Sequence, residues 1–155
     1  MKRRTIGTVV TFFYVFFIFS NSMKTGDLSS ADSGIVRKAV QAIFNSVGLS
    51  SIWMTEHVIR KLGHFIEYAI LGILLHQSIQ AYEFHQERKW SLLAISGVMV
   101  PLLDETIQLF IKGRSGQVSD VWLDISGILF GILATLFLYK LQKRTEKFND
   151  KELSN

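Results

Sequence analysis

Long apolar runs alternate with short polar joins along this chain, and the runs have the length of membrane helices. Four stand out: Thr5 to Met23, Leu62 to Gln80, Trp90 to Ile111 and Val121 to Lys140. A helix needs about 20 mostly apolar residues to cross a bilayer, and each run comes close. The pattern predicts an all-α fold, an integral membrane bundle of four transmembrane helices. Between the first two runs, Ile35, Val36, Ala39, Val40, Ile43, Phe44 and Val47 recur at helical spacing, with Arg37, Lys38, Gln41 and Asn45 on the other face. This segment predicts a short amphipathic extracytoplasmic helix with Asp32 or Ser33 as N-cap. It would lie on the outer membrane surface or pack on the bundle as a lid.

The first run has a rival reading. Basic residues at Lys2, Arg3 and Arg4, an apolar stretch and then Ser20-Asn21-Ser22 resemble a signal peptide with a small-residue cleavage site. The run exceeds the usual apolar core of such peptides, roughly 7–15 residues, which favours a retained helix.

Composition narrows the class. The chain has 155 residues, 48% of them hydrophobic and 19% charged, which is too apolar for an ordinary soluble domain and short enough for one domain. The expected organisation is one transmembrane domain over 1–145 and a charged cytoplasmic tail over 146–155. The net charge of +4 sits at the ends of apolar runs, so it reads as membrane anchoring rather than nucleic-acid binding. Without cysteine there is no disulfide, thiolate metal site or thiol nucleophile. A cytoplasmic N-terminus places ten Lys/Arg inside and seven outside. Arg3-Arg4 and Lys143-Arg144 flank spans directly, so both termini are expected in the cytoplasm. Trp53, Trp90 and Trp122 fall near the expected membrane boundaries, as an aromatic belt requires.

The chemistry lies in polar residues that interrupt the apolar runs: His64, Glu67, Asp104, Glu105, Gln108, Asp120 and Asp124. An ionisable group at mid-bilayer costs roughly 2.5–3.5 kcal/mol. A hydrogen bond between membrane helices returns only about 1 kcal/mol. That suffices for His64, Asp120 or Asp124 taken singly, but not for adjacent Asp104 and Glu105. Helical spacing puts Arg60, His64 and Glu67 on one face and Lys61, His64 and Tyr68 on a neighbouring one. Asp120, Asp124, Gly127 and Gly131 form another face, and the small residues allow close helix approach. Pro101 should kink the third span one turn below Asp104. With the orientation above, all these groups converge on the outer half of the bundle as a polar cavity.

The string Arg60-Lys61-Leu62-Gly63-His64-Phe65-Ile66-Glu67-Tyr68, then Asp104-Glu105-Thr106-Ile107-Gln108, Gly113-Arg114-Ser115 and Asp120-Val121-x-x-Asp124-x-x-Gly127 resemble the VanZ-like membrane protein family. The likeness covers residues 60–131 and departs at Lys112-Gly113, where many members carry proline before the glycine. It implies a multi-pass protein of the bacterial cell membrane. The family's founding member is associated with low-level resistance to teicoplanin-type glycopeptides. The resemblance supplies no reaction.

The residues suggest a pocket for an amphiphile with an anionic or polar head; with what the resemblance implies, the candidates are a membrane lipid, a lipid-linked envelope precursor or a lipoglycopeptide. Lys61, Tyr68, Gln108, Arg114, Asp120 and Asp124, with Arg60, would bind it. If bonds are broken, His64 is the general acid or base, Glu67 orients it, and Asp104 and Glu105 divide into one protonated and one ionised acid. His64-x-x-Glu67 with acids from other helices also resembles a carboxylate-bundle metal site, better suited to Mg²⁺ or Mn²⁺ than Zn²⁺. Lys61 and Arg114 could neutralise the same acids, so no cofactor is required. Two other classes compete: a non-catalytic sequestering protein and a small proton-coupled transporter. Transport needs polar residues toward the inner side, where His76 and Gln77 are explained by snorkelling.

Overall fold

The computed structural model describes residues 2–153, with side chains over 4–146. These residues form α1 (Lys2–Ser22), α2 (Gly26–Ser46), α3 (Glu56–Gln80), α4 (Gln86–Leu109) and α5 (Val118–Leu153), with no strand among them. The helix ends obey local chemistry. Thr55 caps α3, its hydroxyl accepting from the Val58 amide at 3.2 Å, with Glu56 in the first turn favouring the positive end of the helix dipole. Gly113, with φ +77°, turns the chain between α4 and α5 in a conformation that favours glycine.

By length and composition three helices, not the four expected, are apolar enough to cross a membrane: α1 over Arg4–Ser22, α4 over Gln86–Leu109 and α5 over Val118–Glu146. The helix expected to be the second span, α3, has 25 residues but carries Arg60, Lys61, His64, Glu67 and His76. Its polarity is explained by position. It packs against each of the other four helices, most extensively α5.

The α3–α5 contact is made by glycines. An added Cβ on Gly127 would lie 2.6 Å from the Phe65 carbonyl oxygen, and one on Gly72 would lie 2.3 Å from that of Ile128. Below this seam, Ile18, Tyr68, Leu71, Leu75, Leu93, Ile128 and Ile132 form the apolar core. Pro101 is buried within α4, as is Gly97 four residues earlier, so protein covers the carbonyl that proline leaves without a donor. Outside the core, Phe12, Phe13, Phe16, Leu103, Phe130, Leu133 and Phe137 are exposed, as are all three tryptophans.

The helix between the first two apolar runs is present but begins at Gly26, with Thr25 at the N-cap. Asp32 and Ser33 are therefore interior residues, not caps. Asp32 pairs with Lys24 at 2.9 Å, and the Ser33 hydroxyl donates to the Ser29 carbonyl. The Gly26 amide donates to Lys112 O at 3.0 Å, which ties this start to the α4–α5 loop and extends the helix upstream. Ser29 and Ser33 are buried, while Ile35, Val36, Ile43 and Val47 face outward. Part of the apolar stripe thus faces outward, while Val36 and Val40 line a cavity with residues of α3. α5 runs through Leu153, so the charged tail expected over 146–155 is a helix extension as far as that residue; side chains beyond 146, and those of Lys2 and Arg3, lie outside the described residues.

Candidate functional site

One end of the bundle gathers polar groups from four helices and a loop. α3 contributes His64 and Glu67, α4 contributes Asp104, Glu105 and Gln108, and α5 contributes Asp124. Asp104 and Asp124 are fully buried at 0% exposure, with Glu105 and Gln108 nearly so. His64 Nδ1 lies 3.4 Å from Asp124 Oδ1 without hydrogen-bond geometry. The glycine seam explains the approach: Asp124 is one turn before Gly127, which rests on the backbone at Phe65, next to His64. One ligand-type atom from each of His64, Asp104, Glu105 and Asp124 lies within 4.8 Å of the others.

Gln108 is the hub of the cluster. Its Nε2 is 3.2 Å from Glu105 Oε1 and 3.3 Å from both Asp104 Oδ2 and Ser22 Oγ. The second Glu105 oxygen accepts from the Gln117 amide at 2.8 Å. That bond is possible because Gly116 sits against the Glu105 carbonyl, where a Cβ would be 2.4 Å from the oxygen. Five buried atoms nonetheless lack a partner: His64 Nδ1, Tyr68 Oη, Asp104 Oδ1 and both Asp124 carboxylate oxygens. Buried polar atoms are rarely left so.

The remaining expected site residues fall in three places. Lys61 and Asp120 pair with each other at 2.7 Å, at the edge of the cluster. Tyr68 is fully buried, its ring stacked on His64 at 6.5 Å between centroids, so it stands behind the site. Arg114 docks the loop onto the end of α1: its Nη2 donates to Asn21 O at 3.0 Å and its Nε to Lys24 O at 3.2 Å. Burial, and then the nearby Arg60 charge, lower the pKa of the Arg114 guanidinium from its usual value. Glu67 is held by Asn21, whose Nδ2 donates to its Oε1 at 2.9 Å, and it is not among the four clustered ligand groups. Of the His64-x-x-Glu67 pair expected with acids from other helices, His64 lies with the acids of α4 and α5 and Glu67 lies apart.

Asn21 and Ser22 were invisible as site residues in sequence. Their only signal was two polar residues closing an apolar run, which reads equally as a cleavage site. They line up with Glu67 and Gln108 only once α1 packs against α3 and α4.

A cavity of about 480 Å³ opens beside the cluster. Its polar wall includes Asn21, Lys24, Asp32, Arg60, His64, Glu67 and Arg114; its apolar wall includes Val36, Val40, Ile59, Leu62 and Ile66. His64 belongs to both the cavity and the buried cluster. A second cavity, of about 1150 Å³, lies at the opposite end and is lined by Arg4, His76, Gln77, Gln80 and Tyr139, among others. His76 is buried there with both ring nitrogens unpartnered, so it does not snorkel as expected.

The fold and site define a helical membrane protein with a polar centre built into one end of its bundle. The family model described as VanZ/LLP1 matches residues 8–139, and the chain belongs to that family. No curated protein and no solved structure gives a match.

Proposed function

We propose that the cavity beside His64 binds the anionic head of a membrane amphiphile. The observation that carries this reading is Arg60: it lines the cavity, and its Nε is buried without an acceptor. A guanidinium donor in that state matches a phosphate or carboxylate oxygen. The volume lies within the range of ligand pockets, roughly 300–1,000 Å³. The Leu62 and Ile66 side of the cavity is exposed, so an acyl tail can leave toward lipid.

In this reading α3 is a fourth span. Its polar face meets the other helices, while Leu62, Ile66 and Ile70 remain exposed as lipid contacts. The outward apolar stripe of α2 lies in the membrane interface. The charge bias of the joins supports a reading with both termini in the cytoplasm and the cavity at the outer leaflet, in a bacterial membrane as the family resemblance implies. A lipid, a lipid-linked envelope precursor and a lipid-tailed glycopeptide all fit the required chemistry, and the last connects the pocket to glycopeptide resistance.

The test is native mass spectrometry of the full chain from nanodiscs of mixed phosphatidylglycerol and phosphatidylcholine. Anionic lipid should be retained selectively, and Arg60→Ala should reduce retention about tenfold, equivalent to about 1.4 kcal/mol. Equal retention of both lipids, or no effect of Arg60→Ala, refutes the reading.

A catalytic reading is favoured by one observation: His64 spans the cavity and the buried acids. Under catalysis, His64→Ala abolishes function while the amphiphile still binds; under sequestration, function tracks binding in every variant. Transport is disfavoured because Leu71, Leu75, Ile128 and Ile132 form an apolar layer along α3 and α5 between the two cavities.

A further inference from the structure

The buried cluster presents a charge problem that the protein side chains do not solve. Asp104, Glu105 and Asp124 are carboxyl groups removed from water within one small volume. Isolated buried charges are strongly unfavourable. His64, 3.4 Å from Asp124, can offset at most one of these charges; Lys61 pairs with Asp120, and the Arg114 guanidinium donates to the Asn21 and Lys24 carbonyls. Gln108 donates to Asp104 and Glu105 but offers nothing to Asp124.

The unpartnered atoms point in one direction. Asp124 is fully buried with neither oxygen hydrogen-bonded, Asp104 is fully buried with Oδ1 not hydrogen-bonded, and His64 Nδ1, 3.4 Å from Asp124 Oδ1, makes no hydrogen bond. All belong to side chains whose ligand-type atoms cluster within 4.8 Å. Two ligands on opposite sides of a Mg²⁺ or Mn²⁺ ion, each about 2.1 Å from it, are about 4.2 Å apart. That spacing is of the same order as the 4.8 Å within which the cluster's ligand atoms lie.

We infer that His64, Asp104, Glu105 and Asp124 form a divalent-cation site between α3, α4 and α5. Three carboxylates with one imidazole favour an oxygen-seeking ion of the Mg²⁺ or Mn²⁺ type. Gln108 and the Gln117 amide orient the carboxylates from outside the ligand set, as supporting hydrogen bonds do in metal sites. The ion enters through the cavity, whose wall includes His64. The inference stands apart from the identity of any amphiphile in that cavity.

The experiment uses the full chain in detergent micelles, stripped with chelator and titrated with Mn²⁺. Electron paramagnetic resonance reads free Mn²⁺, and thermal melting reads stabilisation. The site predicts one Mn²⁺ per chain and a rise in melting temperature. Asp124→Asn and Asp104→Asn should each weaken uptake by at least about tenfold, since even an outer partner of a metal ligand is worth that much. Glu87→Gln, an exposed change in the first turn of α4, should leave uptake unaltered. Two results overturn the site: no uptake by the wild-type chain at about 10 mM, above the weakest ordinary site affinities of about 1 mM, or uptake unchanged in both Asn variants. If the Asn variants melt higher while the wild type ignores Mn²⁺, protons neutralise the acids and the inference also fails. Anionic-lipid retention measured on the same preparations separates this failure from failure of the amphiphile reading.

Discussion

Gly131 lies directly beneath the carbonyl of Ala69: a Cβ placed there would be 2.0 Å from that oxygen. This contact, with those of Gly127 and Gly72, sets the spacing between α3 and α5 and so the distance from His64 to Asp124. Gly131→Ala forces backbone against backbone, a form of overpacking that typically costs about 1–3 kcal/mol. The variant should melt lower in detergent, by circular dichroism. It should also lose function more than stability alone explains, because Asp124 rides on the displaced helix. A Gly131→Ala protein with wild-type melting would show that the seam is not tight.

Arg114 is expected to act first as a clamp. Its bonds to the carbonyls of Asn21 at the end of α1 and Lys24 just beyond it use the planar fork of a guanidinium, which lysine cannot reproduce. Arg114→Ala should destabilise by about 1–2 kcal/mol, a figure discounted for partial exposure. Arg114→Lys should restore the charge but not the melting temperature. If lysine restores both, the residue serves as a charge and not as a clamp.

Asn21 should matter through Glu67. Removing its amide in Asn21→Ala leaves the Glu67 carboxylate without its donor, a charge-assisted bond of about 1.5–3 kcal/mol. The expected outcome is weakened retention of anionic lipid with helix content intact, read by native mass spectrometry and circular dichroism. Asn21→Gln, which keeps the amide, should recover part of the loss.

Lys61 and Asp120 should prove nearly independent of the buried cluster. Each side chain remains partly exposed, so the pair is solvent-screened and a double-mutant cycle should give a coupling of about 0.2–1 kcal/mol. That coupling should fall with added salt. Lys61→Ala should have less effect on lipid retention than Arg60→Ala, because Lys61 is already committed to a carboxylate. The reverse order would make Lys61 the head-group ligand.

Much of this architecture was legible in linear form. Helical class, helix positions and the polar cluster follow from period and length, since an acid inside an apolar run must find cover. Even the glycine pair could be read as a close helix approach under Asp124, because spacing along a helix converts directly into a face. The polarity of α3 was misleading in the other direction. As a run it suggested a span, yet its content of charged and polar residues falls outside the range of an apolar crossing helix, and only the packing shows that those residues face other helices.

What tertiary structure alone decided is the division of labour among the polar groups. Sequence spacing paired His64 with Glu67, because both lie on one face of α3. In three dimensions Glu67 turns to Asn21 on α1, while His64 meets Asp104, Glu105 and Asp124 from two other helices. Spacing along one helix is local information. Which helices approach, and how closely, depends on the backbone contacts at Gly72, Gly127 and Gly131, and on the loop that Arg114 holds against α1.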